Sequence, residues 1–598
     1  MKYLKFFLIA LFVTTIIYSC YKSKLNQPVP GLLQQQQLAN NTGVQALLIG
    51  AYAMLDGVST PGSPANPSYG SAGSNWIYGS ICGSEAYTGS FDGDLPTVEQ
   101  IEKFESDPST IYFDIKWAAV YEGVQRANSA LRLMREAKDM STADTIEVRA
   151  EALFLRAHYH FEAKKMWNNI PFVNENITYN NNNFHVKNDT SWRPIENDLI
   201  YATAHLRTSQ LTQGIGRANK YAAEALLAKA YMFEHKFAQA KTLLTDLIQN
   251  GQTSSGVKYA LNDLYNDNFN AQTKNSKESV FAYQSSVNDG VGDPWGGNGN
   301  TGEILNFPSP GGEVGCCGAF QPSQYLVNHF KTDPVTGLPD QVNYNNTDVK
   351  NDEGLMSADP FIPDTTTLDP RLDWTVGRRE IPYLDWGKHR GFDWVRVQSF
   401  GGPYSPKKTS VYKAQEGRYT ANGSYGTTAI NINFIRFSDI LLWAAEAEVE
   451  IGSLDQAESY VNLIRNRAAN PAGFVHTYID DANPTGGFTN TPAANYFIKP
   501  YPTGYFQSHG QTFARKAVYY ERMLELGMEG HRFFDLVRWG IASTEINTYL
   551  LKEKIKRTYL SNAAFTAGKN EYFPISQIQI DLSAGPDGKP VMKQNPGY

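Results

Sequence analysis

The sequence predicts a mainly α fold, a tetratricopeptide-like helical solenoid carrying a large irregular, loop-rich insertion with short strands. Three observations predict it. Two segments far apart in the chain repeat one spacing of small residues, Ala228 with Ala240 and Ala445 with Ala457. Two long stretches, 112–138 and 145–168, carry apolar stripes at a period of 3.6 residues. Between the two repeats, residues 285–430 are rich in Gly, Pro, Asn and aromatics and show neither period for long.

The chain opens with MKYLKFFLIALFVTTIIYSC. Lys2 and Lys5 make a positive start, Phe6 to Tyr18 form an apolar stretch too short to span a bilayer comfortably, and Ser19 precedes Cys20. These features predict a signal peptide over 1–19 and acylation of Cys20, with Ile17 and Ser19 where a lipoprotein signal needs a branched and a small residue. Each buried methylene is worth about 0.8 kcal/mol, so two or three acyl chains anchor a protein durably. No later segment rivals this anchor, because the apolar run from Ile440 to Ala447 is short and interrupted by Glu446.

A proline-containing tether leads to a helix predicted over 43–58. The stretch 59–110, dense in Gly, Ser, Pro and aromatics, is longer than a passive connection needs and predicts a binding loop. The helix over 145–168 stops before Asn169-Ile170-Pro171, since proline disfavours the α region in its predecessor. A polar connection at 174–192 precedes a helical block over 194–250. Within that block, and again at 440–468, small residues twelve apart let two antiparallel helices approach closely, and Leu244, Leu247, Val461 and Ile464 fill the next interface. This is the tetratricopeptide pattern, whose units bury their faces only by stacking. The units lie about 217 residues apart, so the array is interrupted in sequence. Strand-like pieces occur at Trp394 to Gln398 and Ile430 to Phe434. The expected organisation is an N-terminal region over 20–250 and a C-terminal region over 251–598, with helical repeats at 431–545.

The formal net charge of −7, more negative once Lys2 and Lys5 leave with the signal, argues against a nucleic-acid surface. With Cys20 acylated, Cys82, Cys316 and Cys317 are too few for a disulfide framework. The adjacent pair Cys316-Cys317 is either a vicinal disulfide or two thiols.

No P-loop, G-x-S-x-G elbow or H-E-x-x-H is present, so no catalytic residue, cofactor or metal is assigned. His158 and His160, two apart on a helix, point to different faces. Sixty acidic residues leave a hidden carboxylate pair open. The densest charged motif is ERMLELGMEGHRFFDLVRWG at 521–540. Read as one helix, it sets Arg522, Glu525, Glu529, Arg532, Asp535 and Arg538 at spacings of three or four, which predicts an ion-pair network along one stripe. An anion site on the arginines is the alternative.

That motif resembles the C-terminal signature of the SusD/RagB family. Other stretches agree in order: W-x-x-x-Y-x-G-x-x-x-AN at Trp117 to Asn128, AEALFLRAHYHFE at 150–162, GRANKYAAEALLAKAY at 216–231, LDPRL at 368–372, RFSDILLWAAEAE at 436–448, RNRA at 465–468 and the terminal QNPGY. The residues after Cys20 (Tyr21, Lys22, Ser23, Lys24) depart from the acidic residues that surface-exported members often carry.

The resemblance implies a non-catalytic nutrient-binding lipoprotein of the outer membrane, facing the cell surface. Its partner would be a SusC-like TonB-dependent transporter, on which it sits as a lid, and its ligand an oligosaccharide or, in some members, a peptide. By the same resemblance, ligand contacts come from the first long loop and the insertion. Here that points to Trp76, Tyr78 and Tyr87 in the loop, and to Trp295, Phe320, Tyr383, Trp386, Trp394 and Tyr404 in the insertion. Asn75, Asn298 and Arg390 are the polar partners. A sugar shows an apolar C–H face and a rim of hydroxyls, so two or three of these rings are expected to form a shared surface platform. Simple packing of long loops is the competing reading for any one ring. A tetratricopeptide-type protein-binding scaffold and a hydrolase are the alternatives from other classes.

Overall fold

The structure, a computed structural model, describes residues 38–57, 67–177, 186–188, 191–210, 214–290, 297–312, 315–421 and 426–598. Cys20, the signal segment and Trp295 lie outside the described residues. The principal helices are α1 (Asn41–Ala53), α2 (Ile111–Glu136), α3 (Thr142–Trp167), α4 (Arg193–His205), α5 (Lys220–Phe233) and α6 (Phe237–Asn250). After the insertion come α7 (Phe437–Ile451), α8 (Leu454–Ala468), α9 (Tyr505–Leu526), α10 (Arg532–Arg538) and α11 (Ala542–Lys556). Side-chain caps start several of them: Asn40 accepts from the Gly43 amide, Ser141 from Asp144, Asn219 from Ala222 and Ser453 from Gln456.

Successive helices pack on one another from α1 to α6, and α6 then packs directly on α7, which packs on α8 and α9. The array broken in sequence is therefore continuous in space. Ala228, Ala240, Ala445 and Ala457 are fully buried, as are Leu244, Leu247, Val461 and Ile464, and Lys241 pairs with Glu448 at 2.8 Å across the α6–α7 seam. The apolar core runs without a break from Val44 to Met592.

The strands among the described residues form two-stranded antiparallel pairs. In chain order they are β1 (Ala86–Gly89), β2 (Ser279–Tyr283), β3 (Ala319–Pro322), β4 (Val376–Gly377), β5 (Ser405–Pro406), β6 (Ile432–Arg436), β7 (His476–Tyr478) and β8 (Phe488–Pro492). The pairs are β1–β3, β2–β6, β4–β5 and β7–β8. The β2–β6 pair, with Ser279 opposite Arg436 and Tyr283 opposite Ile432, clasps the two ends of the insertion together where it leaves the solenoid. The predicted strand from Ile430 to Phe434 corresponds to β6 shifted by two residues.

Three local expectations change. Trp394 to Gln398 is not a strand: Gly391–Trp394 is a 3₁₀ turn, because the Trp394 ring turns inward to meet Tyr383 and His389 edge-on at 5.6 and 5.2 Å. The described part of the 59–110 loop is built of short helices and β1, and residues 76–90 are all buried. Motif 521–540 is two helices, not one. The turn between α9 and α10 places Met528 and Gly530 at φ of 68° and 78°, and Gly530 lies against the Trp76–Ile81 π-helix. A Cβ on Gly79 would sit 1.8 Å from the Gly530 oxygen, so these two backbones meet only because both residues are glycine.

Candidate binding face

The rings expected to form a platform mostly face inward. Trp76, Tyr78, Tyr87, Phe320, Tyr383, Trp394 and Tyr404 are all buried. The phenols and the Trp76 indole are satisfied inside, as a buried ring's heteroatom requires: Trp76 Nε1 donates to Gly302 O (3.1 Å), Tyr78 OH to Tyr69 O (3.0 Å), Tyr87 OH to Glu553, Tyr383 OH to Pro406 O and Tyr404 OH to Gln324 (3.0 Å). Trp76 also packs on Phe320 at 5.5 Å, so the first loop and the insertion share an aromatic interior. Burial, the neighbouring Glu553 carboxylate second, pushes the Tyr87 phenol far above its ordinary range. As a solvent-facing platform these seven rings are corrected to core. Trp386 is half-buried, donating to Val411 O at 2.8 Å beneath the Lys413 ammonium. Asn75 is half-buried against the α9–α10 turn, and Asn298 is exposed and donates to Asp289 (2.8 Å). Arg390 is exposed and pairs with Asp393 at 3.1 Å.

The charged motif forms a network, but most of its partners come from elsewhere in the chain. Arg436 meets Glu278 at 2.9 Å, Glu529 at 2.9 Å and Glu525. Arg467 meets Glu525 at 2.6 Å, Arg371 meets Glu521 at 2.7 Å and Glu525 at 3.0 Å, and Arg465 meets Glu521 at 3.0 Å. Asp535 is shared by Arg522 and Arg538 at 2.9 and 2.8 Å, and Arg538 also grips Glu446 at 2.6 Å. Arg532 lies 3.7 Å from Glu545. Burial alone would raise the Glu525 carboxyl, yet Arg467, Arg436 and Arg371 hold it well below the usual carboxylate range. The same opposition, with Arg522 and Arg538 prevailing, brings Asp535 down to about 2. With every arginine of the motif facing a carboxylate, the arrangement is a buried frame.

One exposed face does bring the first loop and the insertion together. Past β1 the chain turns outward at Ser90, and Phe91 is 40% exposed. The Ser90 amide donates to Gly318 O at 2.5 Å, docking the loop on the insertion. Arg396 clamps the junction: its guanidinium donates to Ser90 Oγ (2.9 Å), Asp94 (3.3 Å) and Cys317 O (3.3 Å), and its Cζ lies 4.9 Å from the Phe91 ring centroid. Cys316 and Cys317 are joined as a vicinal disulfide, half-buried on the same face. Beside them, the Gly311 amide donates to Asp393 O at 3.1 Å, so the turn bearing Phe392 (38% exposed), Arg390 and Asp393 continues the face. An aromatic edge, an apolar disulfide and a rim of charged groups suit a ligand with one apolar face and many hydroxyls. Phe91 was missed because TGSFDGD reads as turn; its signal is an aromatic flanked by Ser, Asp and Gly, whereas Tyr78 sits in the apolar run WIYGSI. Among the described residues no group of three or more His, Cys, Asp or Glu side chains is placed to hold a metal ion.

Comparison with known proteins agrees with this architecture. Residues 277–598 match the model of the SusD family, and residues 73–232 match one described as starch-binding associating with outer membrane. The chain belongs to the SusD family. It is similar to the SusD-like protein P25 of Formosa agariphila, 25% identical over 433 residues, which are 71% of this chain and 70% of that protein. Among solved structures it resembles a laminarin-binding SusD-like protein (TM-score 0.64, 20% identity, 94% of this chain and 100% of that one). It also resembles surface glycan-binding protein A of Bacteroides thetaiotaomicron in complex with laminarihexaose (TM-score 0.64, 18% identity, 93% and 99%). At these identities the structural likeness is one of fold. Among the described residues no helix is long and apolar enough to cross a membrane.

Proposed function

We propose that the protein is a non-catalytic glycan-binding lipoprotein. Acylated at Cys20 and held at the outer membrane, it would pass its ligand to a SusC-like TonB-dependent transporter. The Phe91–Arg396 junction carries the reading: it is an open aromatic beside a fixed guanidinium, where the first loop meets the insertion. The names of the structural relatives, which bind laminarin and laminarihexaose, favour a glycan over a peptide. A pyranose stacked on the free face of Phe91 would bring its hydroxyls to Arg396, Asp94 and Arg390, satisfying both halves of its surface.

Calorimetric titration with laminarihexaose, maltohexaose, xylohexaose, mannohexaose and galactan oligosaccharides tests it. At least one is expected to bind, and Phe91→Ala to weaken it about tenfold, since a lost aromatic contact is worth about 0.5–1.5 kcal/mol beyond area burial. The melting temperature should not move, because Phe91 is outside the core. Binding of none, or full affinity in Phe91→Ala, removes the reading.

A further inference from the structure

We propose that the Cys316–Cys317 disulfide is itself a wall of this face, an apolar surface against which a sugar ring packs opposite Phe91. The inference rests on the glycan-binding reading above and adds to it a contact that no carbohydrate-binding aromatic supplies. Three observations carry it.

The pair is only half-buried, where a structural bond would be enclosed. Cys316 and Cys317 are half-buried beside exposed Gly315, whereas the remaining described cysteine, Cys82, is buried in the core. Bonding two neighbours closes no loop of chain, so the chain-entropy gain of a disulfide, which grows with loop length, is nearly absent here. What the bond changes is the surface. Two thiols are weak donors that point independently, whereas the joined sulfurs are one fixed, polarizable patch with no hydrogen to donate.

The pair is also held toward the first loop by named contacts. Gly315 and Gly318, at φ of 67° and 78°, bracket it, and a Cβ on Gly318 would come within 3.0 Å of Arg396 Cγ. Glycine there lets the Arg396 stem lie flat against the backbone. The guanidinium then reaches the Cys317 carbonyl on one side and Ser90 and Asp94 on the other. The Phe91 ring and the backbone of Cys317 are thus both held to one arginine.

The surroundings, finally, supply no competing role. Neither sulfur belongs to a metal-holding group among the described residues. With Phe91 and the disulfide as its apolar walls and Arg396 and Asp94 as its polar groups, such a face would select a ring with hydroxyls around its rim over a charged or wholly apolar ligand.

The test uses the full protein and the tightest-binding oligosaccharide of the panel above. In the native chain, saturating oligosaccharide is expected to slow reduction of the disulfide by TCEP at least fivefold, read as thiols released per minute; a bond with only a structural role would not be shielded. The Cys316→Ser/Cys317→Ser protein is expected to bind at least fivefold more weakly with a melting temperature close to the native one. Normal affinity in the double variant together with unprotected reduction overturns this proposal while leaving the Phe91 site standing. If the double variant fails to fold, the protection rate in the native chain decides. If no oligosaccharide binds, or Phe91→Ala binds normally, the glycan reading falls and this inference with it.

Discussion

Two arginine-centred clusters use the same chemistry in opposite surroundings. Arg436 is 1% exposed and shares Glu278, Glu525 and Glu529 with other buried cations; Arg396 is about a third exposed and donates to Asp94, Ser90 Oγ and the Cys317 carbonyl. The first is closed to solvent, so each charge depends on its partners. In the second, water replaces any lost contact at little cost, and the same groups are free to exchange water for a ligand. Burial, not residue type, separates the frame of this protein from its proposed binding face.

The comparison is broken most severely by Arg436→Met. Three buried carboxylates would lose a shared partner, and breaking a buried pair costs about 3–5 kcal/mol; urea unfolding should register a loss of that order, and a change below about 1 kcal/mol would show that the frame is redundant. Acid gives an intermediate effect. Glu525 and Asp535 have folded pKa values depressed below their unfolded ones, so their stabilisation is complete above the ordinary carboxylate range and is lost as pH falls through the folded values. Thermal melts should therefore fall steeply between about pH 4 and pH 2, and the Asp535 part of that slope should disappear in Asp535→Asn. The smallest effect belongs to Asp94→Asn. An exposed pair contributes about 0–1 kcal/mol, so the melting temperature should hardly change while oligosaccharide affinity falls. A large loss of stability there would mean that the exposed junction is part of the frame.

The solenoid was legible because helix packing leaves a local record. Small residues at Ala228, Ala240, Ala445 and Ala457 state how closely the helices approach, and all four are buried where the pattern puts them. That α6 meets α7 was not legible, since nothing near either helix encodes what its outer face will touch. The ion-pair network was legible in part: Arg538 pairs with Asp535 three residues away, as the spacing predicts, but most partners lie outside the stripe. Spacing along 521–540 suggested pairs within one helix, yet Glu525 faces Arg371, Arg436 and Arg467 from LDPRL, RFSD and RNRA. Those motifs held the complementary charges all along, but charge complementarity does not name which of several arginines a carboxylate meets. The aromatic platform failed for a related reason. Glycine-rich sequence around Trp76 and Tyr78 reads as exposed loop, while in the structure glycine permits close backbone approach, at Gly79 and Gly530 for instance, and draws the rings inside.

The order in which the frame receives its charges has a consequence for biogenesis. Arg371, Arg436, Arg465 and Arg467 all precede Glu521, Glu525 and Glu529 along the chain, and each ends nearly sealed from solvent. A polypeptide cut short before Glu521 would leave Arg465 without its carboxylate and Arg436 and Arg467 with Glu278 alone between them, and closing the fold around them would be strongly unfavourable. Such fragments would stay open to envelope proteases. The C-terminal signature would thus act as a completeness check, letting the molecule close only when residues 521–598 have arrived.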